Sequence, residues 1–157
     1  MASRKLLHIF LLTIIFYTIK GDRLDDMSWQ PGDIIKCKLS GAAGFFGFKH
    51  YMIGGDKPNH VISVFNDGGT ISNGVISDIH HIYFTSGINR DKCENYGKGS
   101  LSREETIKRA QRMVGTTFTY DLYRCNCQHF TNYWANGSSG KWYNNQSLQT
   151  SAHFCPV

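Results

Sequence analysis

The chain has 157 residues, of which 41% are hydrophobic and 18% are charged. This length fits one domain, and this composition supports a packed core and excludes wholesale disorder. The net charge is +5, but three of the basic residues lie within the first 21 positions, and without them the excess of basic over acidic residues falls to two. Since no basic cluster or basic helix face remains, the charge gives no case for nucleic-acid binding.

The first 21 residues have the order of a secretory signal peptide. A basic start at residues 1–5 precedes an apolar-rich run over residues 6–19, and Lys20-Gly21-Asp22 returns the chain to polar character. The apolar run is shorter than the about 20 residues that a membrane-spanning helix needs. We therefore predict a signal peptide over residues 1–21 and a secreted protein, with a retained N-terminal membrane anchor as the alternative.

A turn at residues 29–33 precedes a predicted strand that begins with Ile34-Ile35. The segment that follows, residues 41–55, is rich in glycine, alanine and aromatic residues and is predicted to be a loop. Its aromatic side chains either fold back on the core or form an exposed apolar loop that contacts a membrane surface. The aromatic residues concerned are Phe45, Phe46, Phe48 and Tyr51.

Residues 60–65 are rich in β-branched side chains and predict a strand, and the Asp67-Gly68 pair after it predicts a tight hairpin. With a two-residue loop at that pair, His60 faces Val75 across the hairpin. Side chains alternate between faces, so His60 and Asn73 lie on one face as diagonal neighbours, about 7–8 Å apart. The predicted hairpin therefore places an imidazole beside a carboxamide.

Two helices are predicted after the hairpin. Residues 102–105 form a capping box, and the helix that they start ends at Gly115. Asn126 caps a second helix, whose first residue is Cys127 and which ends at Asn136-Gly137. A thiol at this position meets unpaired N–H groups and the positive end of the helix dipole, so we expect the pKa of Cys127 to lie below the free value of about 8.5.

All five cysteines lie beyond the predicted signal peptide. Five cannot all pair within one chain, so one is either bonded to another molecule or free and reactive. Cys127, His60 and Asn73 together would supply a nucleophile, a general base and acid, and a group that orients the base. The alternative is a buried structural cysteine with two unrelated polar strand residues.

The sequence resembles the lecithin:retinol acyltransferase (LRAT) family, which includes the HRAS-like-suppressor phospholipase/acyltransferases. Three stretches carry the resemblance, residues 31–35, the hairpin from His60 to Asn73, and above all residues 102–137 with their Asn-Cys-Gln-His-Phe block at 126–130. The resemblance implies an α+β, circularly permuted papain-like fold with a small antiparallel sheet packed against helices. It also implies a catalytic domain over residues 29–137, followed by a polar tail.

The resemblance further implies thiol chemistry without a metal or an organic cofactor. Cys127 would attack a phospholipid or a similar acyl ester and form an acyl-thioester, which is then passed to an amine, an alcohol or water. His60 would be the base and Asn73 the orienting group, although the family usually has His-Trp at the base and a second histidine as the third residue. His50-Tyr51 is the alternative base motif, and we place it second because Gly54 and the residues after it should break any strand there.

If Cys127 is free, the other four cysteines can form two disulfides in one of three connectivities. In each of them, the disulfide that includes Cys155 would tether the tail at residues 138–157. The four are Cys37, Cys93, Cys125 and Cys155. The function predicted is that of a secreted thiol acyltransferase or phospholipase A-type enzyme. The alternatives are a cysteine hydrolase of amide or peptide bonds and a non-catalytic secreted binding module.

Overall fold

The computed structural model describes residues 23–84 and 87–137 together with Cys155. These residues form the strands β1 (Ile34–Leu39), β2 (Lys49–Gly54), β3 (His60–Asn66), β4 (Ile71–His80), β5 (Ile88–Gly97) and β6 (Thr117–Asp121). They also form the helices α1 (Gly41–Phe45), α2 (Arg103–Met113) and α3 (Cys127–Asn136), and a short 3₁₀ turn at His81–Tyr83. The predicted signal peptide and most of the predicted tail lie outside the described residues.

The six strands form one sheet in the order β5-β1-β2-β3-β4-β6, and each neighbouring pair is antiparallel. The longer helices α2 and α3 pack against each other, and α3 contacts β2 and β3 in the middle of the sheet. The predicted α+β class, with an antiparallel sheet packed against helices, is confirmed.

Side-chain alternation along the strands builds a separate core on each face of the sheet. On the helix-covered face, Ile53 and Ile62 pack with Phe130 and Trp134 of α3. On the other face, the core includes Leu24, Ile35, Met52, Val61 and Phe84. The helix that carries Cys127 is therefore buried against the central strands, and its N-terminus is fixed relative to β2.

The prediction of a loop over residues 41–55 is wrong, because this segment contains α1 and the central strand β2. β2 pairs with β1 on one side and with β3 on the other. A Cβ at Gly54 would lie 2.4 Å from Cδ1 of Trp29 and 2.8 Å from the carbonyl oxygen of Gln30. Gly54 thus allows the close approach of another segment and does not end the strand, so His50 lies in regular β structure.

The β3–β4 hairpin is wider than predicted. His60 lies opposite His80 and not opposite Val75, so the predicted two-residue loop at Asp67-Gly68 is wrong. Asn73 is correspondingly moved beyond the end of β3 and cannot be a diagonal neighbour of His60.

The register differs because β4 pairs with two strands. Residues 71–75 pair with β6, and pairing with β3 starts where Asn66 faces Gly74. A hydrogen bond spans the loop between the two strands: the N–H of Asp67 donates to the carbonyl oxygen of Asn73 at 3.2 Å. The hairpin sequence contains no information on the partner strand β6, which begins at Thr117, well beyond the end of β4 at His80.

Both predicted helix starts are confirmed. The hydroxyl of Ser102 accepts from the N–H of Glu105 at 3.1 Å, and the side chain of Asn126 accepts from the N–H of Gln128 at 2.9 Å. Gly137, with φ of 80°, ends α3 in the left-handed conformation that glycine adopts without strain. Local capping chemistry therefore places Cys127 at the first position of α3.

Two disulfides hold the domain together, as predicted. Cys37–Cys93 joins β1 to β5, and Cys125–Cys155 ties the residue two before Cys127 to the C-terminal part of the chain. Cys127 is free. Two disulfides are consistent with an extracellular protein. Over the described ranges, the helices are all too short or too polar to span a bilayer.

Candidate active site

Cys127 begins α3 and is 5% exposed, among the buried residues on the helix-covered face of the sheet. Its position is fixed by a capping box in which the N–H of Asn126 donates to Nδ1 of His129 at 3.2 Å. His129 is buried and serves this cap. It therefore supports the helix end that carries the thiol.

Burial raises the pKa of the Cys127 thiol to about 11, although backbone hydrogen bonds from Tyr51, Gln128 and Cys127 itself act in the opposite direction. The expectation of a pKa below 8.5 is therefore wrong. The helix N-terminus does stabilise the thiolate, but removing the sulfur from water outweighs that stabilisation. At neutral pH the side chain is a thiol, with N–H groups of two elements directed at its sulfur.

Tyr120, in β6, is a neighbour of this thiol that the sequence reasoning did not single out. Burial raises the pKa of its phenol, and the negative charge of an ionised Cys127 and of Asp121 raises it further. The phenol is therefore protonated at neutral pH and can donate a hydrogen bond. Strand alternation could have indicated it, because Phe118 and Tyr120 both pack on the helix-covered core.

His60, the predicted base, has a different partner. Its Nδ1 lies 2.9 Å from Oδ1 of the buried Asp78, and the other carboxylate oxygen of Asp78 accepts from Gln111 of α2 at 3.2 Å. This pair ties the start of β3 to the end of α2.

The distance from His60 to the thiol follows from the strand register. The sulfur of Cys127 accepts a hydrogen bond from the backbone of Tyr51. Because Met52 pairs with Ser63, Tyr51 lies level with Val64 of β3. His60 is four residues from Val64, or about 13 Å along the strand. The structure therefore does not bring His60 and Cys127 together.

Asn73, the predicted orienting group, lies on the exposed turn that precedes the β3–β4 pairing. Its Nδ2 donates to Oδ2 of Asp67 at 3.1 Å. The predicted contact between Asn73 and the ring of His60 is wrong, because the hairpin register differs by five positions from the one expected. The three predicted site residues thus occupy three separate places.

His50 is the imidazole nearest in sequence to the strand residue that contacts the nucleophile. It directly precedes Tyr51, whose N–H bonds the sulfur, and its Nε2 lies 2.6 Å from Oγ of Ser63. Its ring packs 4.9 Å from that of Phe84 on the face opposite α3, and burial lowers its pKa to about 4. His50 is therefore a neutral base at physiological pH, one residue from the strand position that contacts Cys127.

Fold and site together define an α+β domain built around a free thiol at a helix N-terminus. The family model for lecithin retinol acyltransferase matches residues 27–140. Since this match covers most of the chain, the protein belongs to the lecithin retinol acyltransferase family. A comparison with curated proteins gives no match. Membership in this family usually implies acyltransferase activity, which suggests acyltransferase or phospholipase-type chemistry for this chain.

Proposed function

We propose that the protein is a secreted thiol acyltransferase or phospholipase A-type enzyme in which Cys127 is the nucleophile. The observation that carries this proposal is a free thiol at the start of α3, in a chain of this family, with backbone N–H groups of two elements directed at its sulfur. Secretion is supported by the two disulfides.

The chemistry begins with a neutral thiol. A general base takes the proton as the sulfur attacks the ester carbonyl, and collapse of the tetrahedral intermediate expels the alcohol and leaves an acyl-thioester. Water, an amine or an alcohol then attacks the thioester and releases Cys127. The backbone N–H groups of Tyr51 and Cys127 are the proposed donors to the oxyanion that forms at each step, since the N–H of Gln128 already donates to the side chain of Asn126.

We assign the general base to His50 in preference to His60. His50 directly precedes the strand residue whose backbone contacts the sulfur, whereas His60 lies about 13 Å along the neighbouring strand. Because its ring rests on the face opposite α3, His50 can reach the thiol only if the start of β2 rearranges when the ester binds. Ser63 holds the ring in its resting orientation. The alternative is that His60, the base predicted from the sequence, takes the proton.

The proposal is tested by intact mass spectrometry after exposure to a phospholipid and to a short-chain activated ester. The wild-type protein should gain one acyl group that hydroxylamine removes, and Cys127→Ala should gain none. Cys127→Ser, which keeps the shape of the side chain, is the control for folding. An adduct of equal yield on Cys127→Ala would contradict the assignment, and turnover of peptides but not esters would favour an amide hydrolase.

The raised pKa of Cys127 and the contact of His50 with Ser63 favour one second candidate, a non-catalytic binding module of this family. In that case the wild-type protein forms no thioester with either ester, although it is folded and its Cys127 is reduced. The same mass measurement therefore separates the two candidates.

A further inference from the structure

The end of the sheet that carries the nucleophile also carries exposed aromatic residues. Because neighbouring strands are antiparallel, β1, β3 and β6 end where β2, β4 and β5 begin. Helix α1 connects β1 to β2 at this end, and the turn after β6 leads directly to Cys127. We call this surface the thiol end of the sheet.

Three separate segments contribute exposed apolar side chains to the thiol end. Phe45 and Phe46 of the α1 segment are 87% and 74% exposed, and their rings meet edge to face with centroids 5.6 Å apart. Phe48, Ile71 at the start of β4 and Tyr123 in the turn after β6 are also exposed. The exposed Phe45–Phe46 pair, with further exposed apolar side chains at the same end of the sheet, is a candidate interaction site.

Backbone hydrogen bonds fix these segments to the sheet. The N–H of Ser40 donates to the carbonyl oxygen of Gly87 at 2.7 Å, and the N–H of Phe48 donates to that of Ala43 at 3.1 Å. On the other side of the thiol end, the N–H of Leu122 donates to the carbonyl oxygen of Thr70 at 2.9 Å. The aromatic side chains are therefore presented by ordered backbone.

Positive charge lies directly beside the aromatic helix. Lys38 and Lys49 are exposed and face each other across the β1–β2 hairpin, an arrangement that like charges disfavour. The neighbouring ion pair joins Lys36 to Glu94, at 2.9 Å. An anionic surface against this hairpin would relieve the repulsion between the two lysines.

We propose that the thiol end of the sheet docks on an anionic phospholipid bilayer, with Phe45 and Phe46 inserted below the headgroups and Lys38 and Lys49 among the phosphates. This inference rests on the proposed function, because it presents the nucleophile to lipid esters. Phe48 is three residues from Tyr51, so the aromatic segment lies about 10 Å along the strand from the backbone that contacts Cys127. Tyr51 itself is half-buried against the core and is not part of the docking surface.

The test is vesicle flotation of the full chain in a Cys127→Ser background, so that binding is measured without turnover. Vesicles of phosphatidylcholine with phosphatidylserine are compared with vesicles of phosphatidylcholine alone. The double variant F45S/F46S should weaken binding roughly tenfold or more for each ring removed. The matched control is I82S/Y83S, which removes exposed apolar side chains at the opposite end of the sheet, where Tyr83 is 70% exposed, and should leave binding unchanged.

A second variant tests the charge. K38E/K49E should remove the preference for phosphatidylserine and leave the weaker binding to phosphatidylcholine in place. Equal binding by F45S/F46S and its parent, or an equal loss in I82S/Y83S, would overturn the proposal. So would a sedimentation result in which F45S/F46S dissolves a dimer without changing vesicle binding, since a second copy would then cover the surface.

Failure of the docking surface and failure of the proposed function give different results. Thioester formation on wild-type protein is measured with the soluble short-chain ester and needs no membrane. A protein that forms the thioester but ignores vesicles retains the proposed chemistry and contradicts docking. A protein that binds vesicles through Phe45 and Phe46 but forms no thioester retains docking and contradicts the chemistry.

Discussion

The N–H group of Tyr51, in the second strand, donates a hydrogen bond to the sulfur of Cys127 at the start of the last helix. This contact joins the nucleophile to the strand that carries His50, and it leaves His60 about 13 Å along the neighbouring strand. Neither imidazole is in contact with the thiol in this arrangement, and the first prediction compares the two as candidate bases.

We expect His50→Ala to lower kcat/KM for ester hydrolysis roughly 10²–10⁴-fold, the usual effect of removing a general base. His60→Ala should leave kcat/KM within about tenfold and instead lower the free energy of unfolding by about 1–3 kcal/mol, because the buried Asp78 loses a hydrogen-bond partner. Steady-state kinetics and urea unfolding of the two variants measure both effects. The reverse pattern, a large kinetic loss in His60→Ala alone, would restore the assignment made from the sequence.

Alkylation of native Cys127 by iodoacetamide should be slow at pH 7 and should rise with pH up to the onset of alkaline unfolding. The reason is that burial raises the pKa of this thiol to about 11, so the reactive thiolate is rare at neutral pH. Mass spectrometry of labelled protein over a pH series measures the rate, with the urea-unfolded protein as the control. A rate that is already constant between pH 6 and 8 would show that the thiolate is the resting form.

The domain should lose stability as the pH falls from about 6.5 towards 4. Burial lowers the pKa of His50 to about 4 and also lowers the pKa values of His81 and His129. The unfolded chain therefore binds these protons first, and stability present above pH 6.5 is lost as the pH approaches the folded values. The contribution of His50 is roughly 3 kcal/mol.

Urea unfolding at pH 7 and at pH 4.5 measures this loss. His50→Gln cannot be protonated, so the difference between the two pH values should be smaller in this variant than in the wild type. An identical pH dependence in the two proteins would show that His50 is not buried as a neutral base.

Gly54→Ala should destabilise the domain by about 1–3 kcal/mol or more, because the added methyl meets the indole of Trp29 and the carbonyl oxygen of Gln30. Gly47→Ala is the control, since its Cβ would have no neighbour within 4 Å and only its positive φ of 80° opposes the substitution. Thermal unfolding of both variants gives the comparison. If Gly54→Ala were the milder change, the close approach of residues 29–30 to β2 would be refuted.

Features fixed by neighbouring residues were predictable from the sequence. The N-caps at Ser102 and Asn126, and the left-handed stop at Gly137, depend on hydrogen bonds within one turn of helix. For this reason the sequence alone predicts Cys127 at the start of α3, and the structure confirms it. The count of five cysteines likewise indicated an unpaired thiol, and Cys127 is that thiol.

Features fixed by distant residues were not predictable in this way. Gly54 was expected to end the strand, but it lies within β2 and allows Trp29 to pack closely against it. The register of the β3–β4 hairpin depends on the pairing of β4 with β6. The pKa of Cys127 depended on how deeply α3 is buried, which the helix dipole alone does not reveal. The first two of these effects explain why the sequence favoured His60 over His50 as the candidate base.

The bond between Cys125 and Cys155 places an oxidised sulfur and a reduced one on either side of Asn126. Preparing homogeneous protein therefore requires conditions that cross-link four sulfurs while sparing the fifth, and a reducing host would leave the first requirement unmet. In a strongly oxidising refolding buffer, Cys127 can form a disulfide with Cys125 or with another cysteine, and the nucleophile is then lost. Peptide mapping of each batch by mass spectrometry tells these isomers apart before any assay is run.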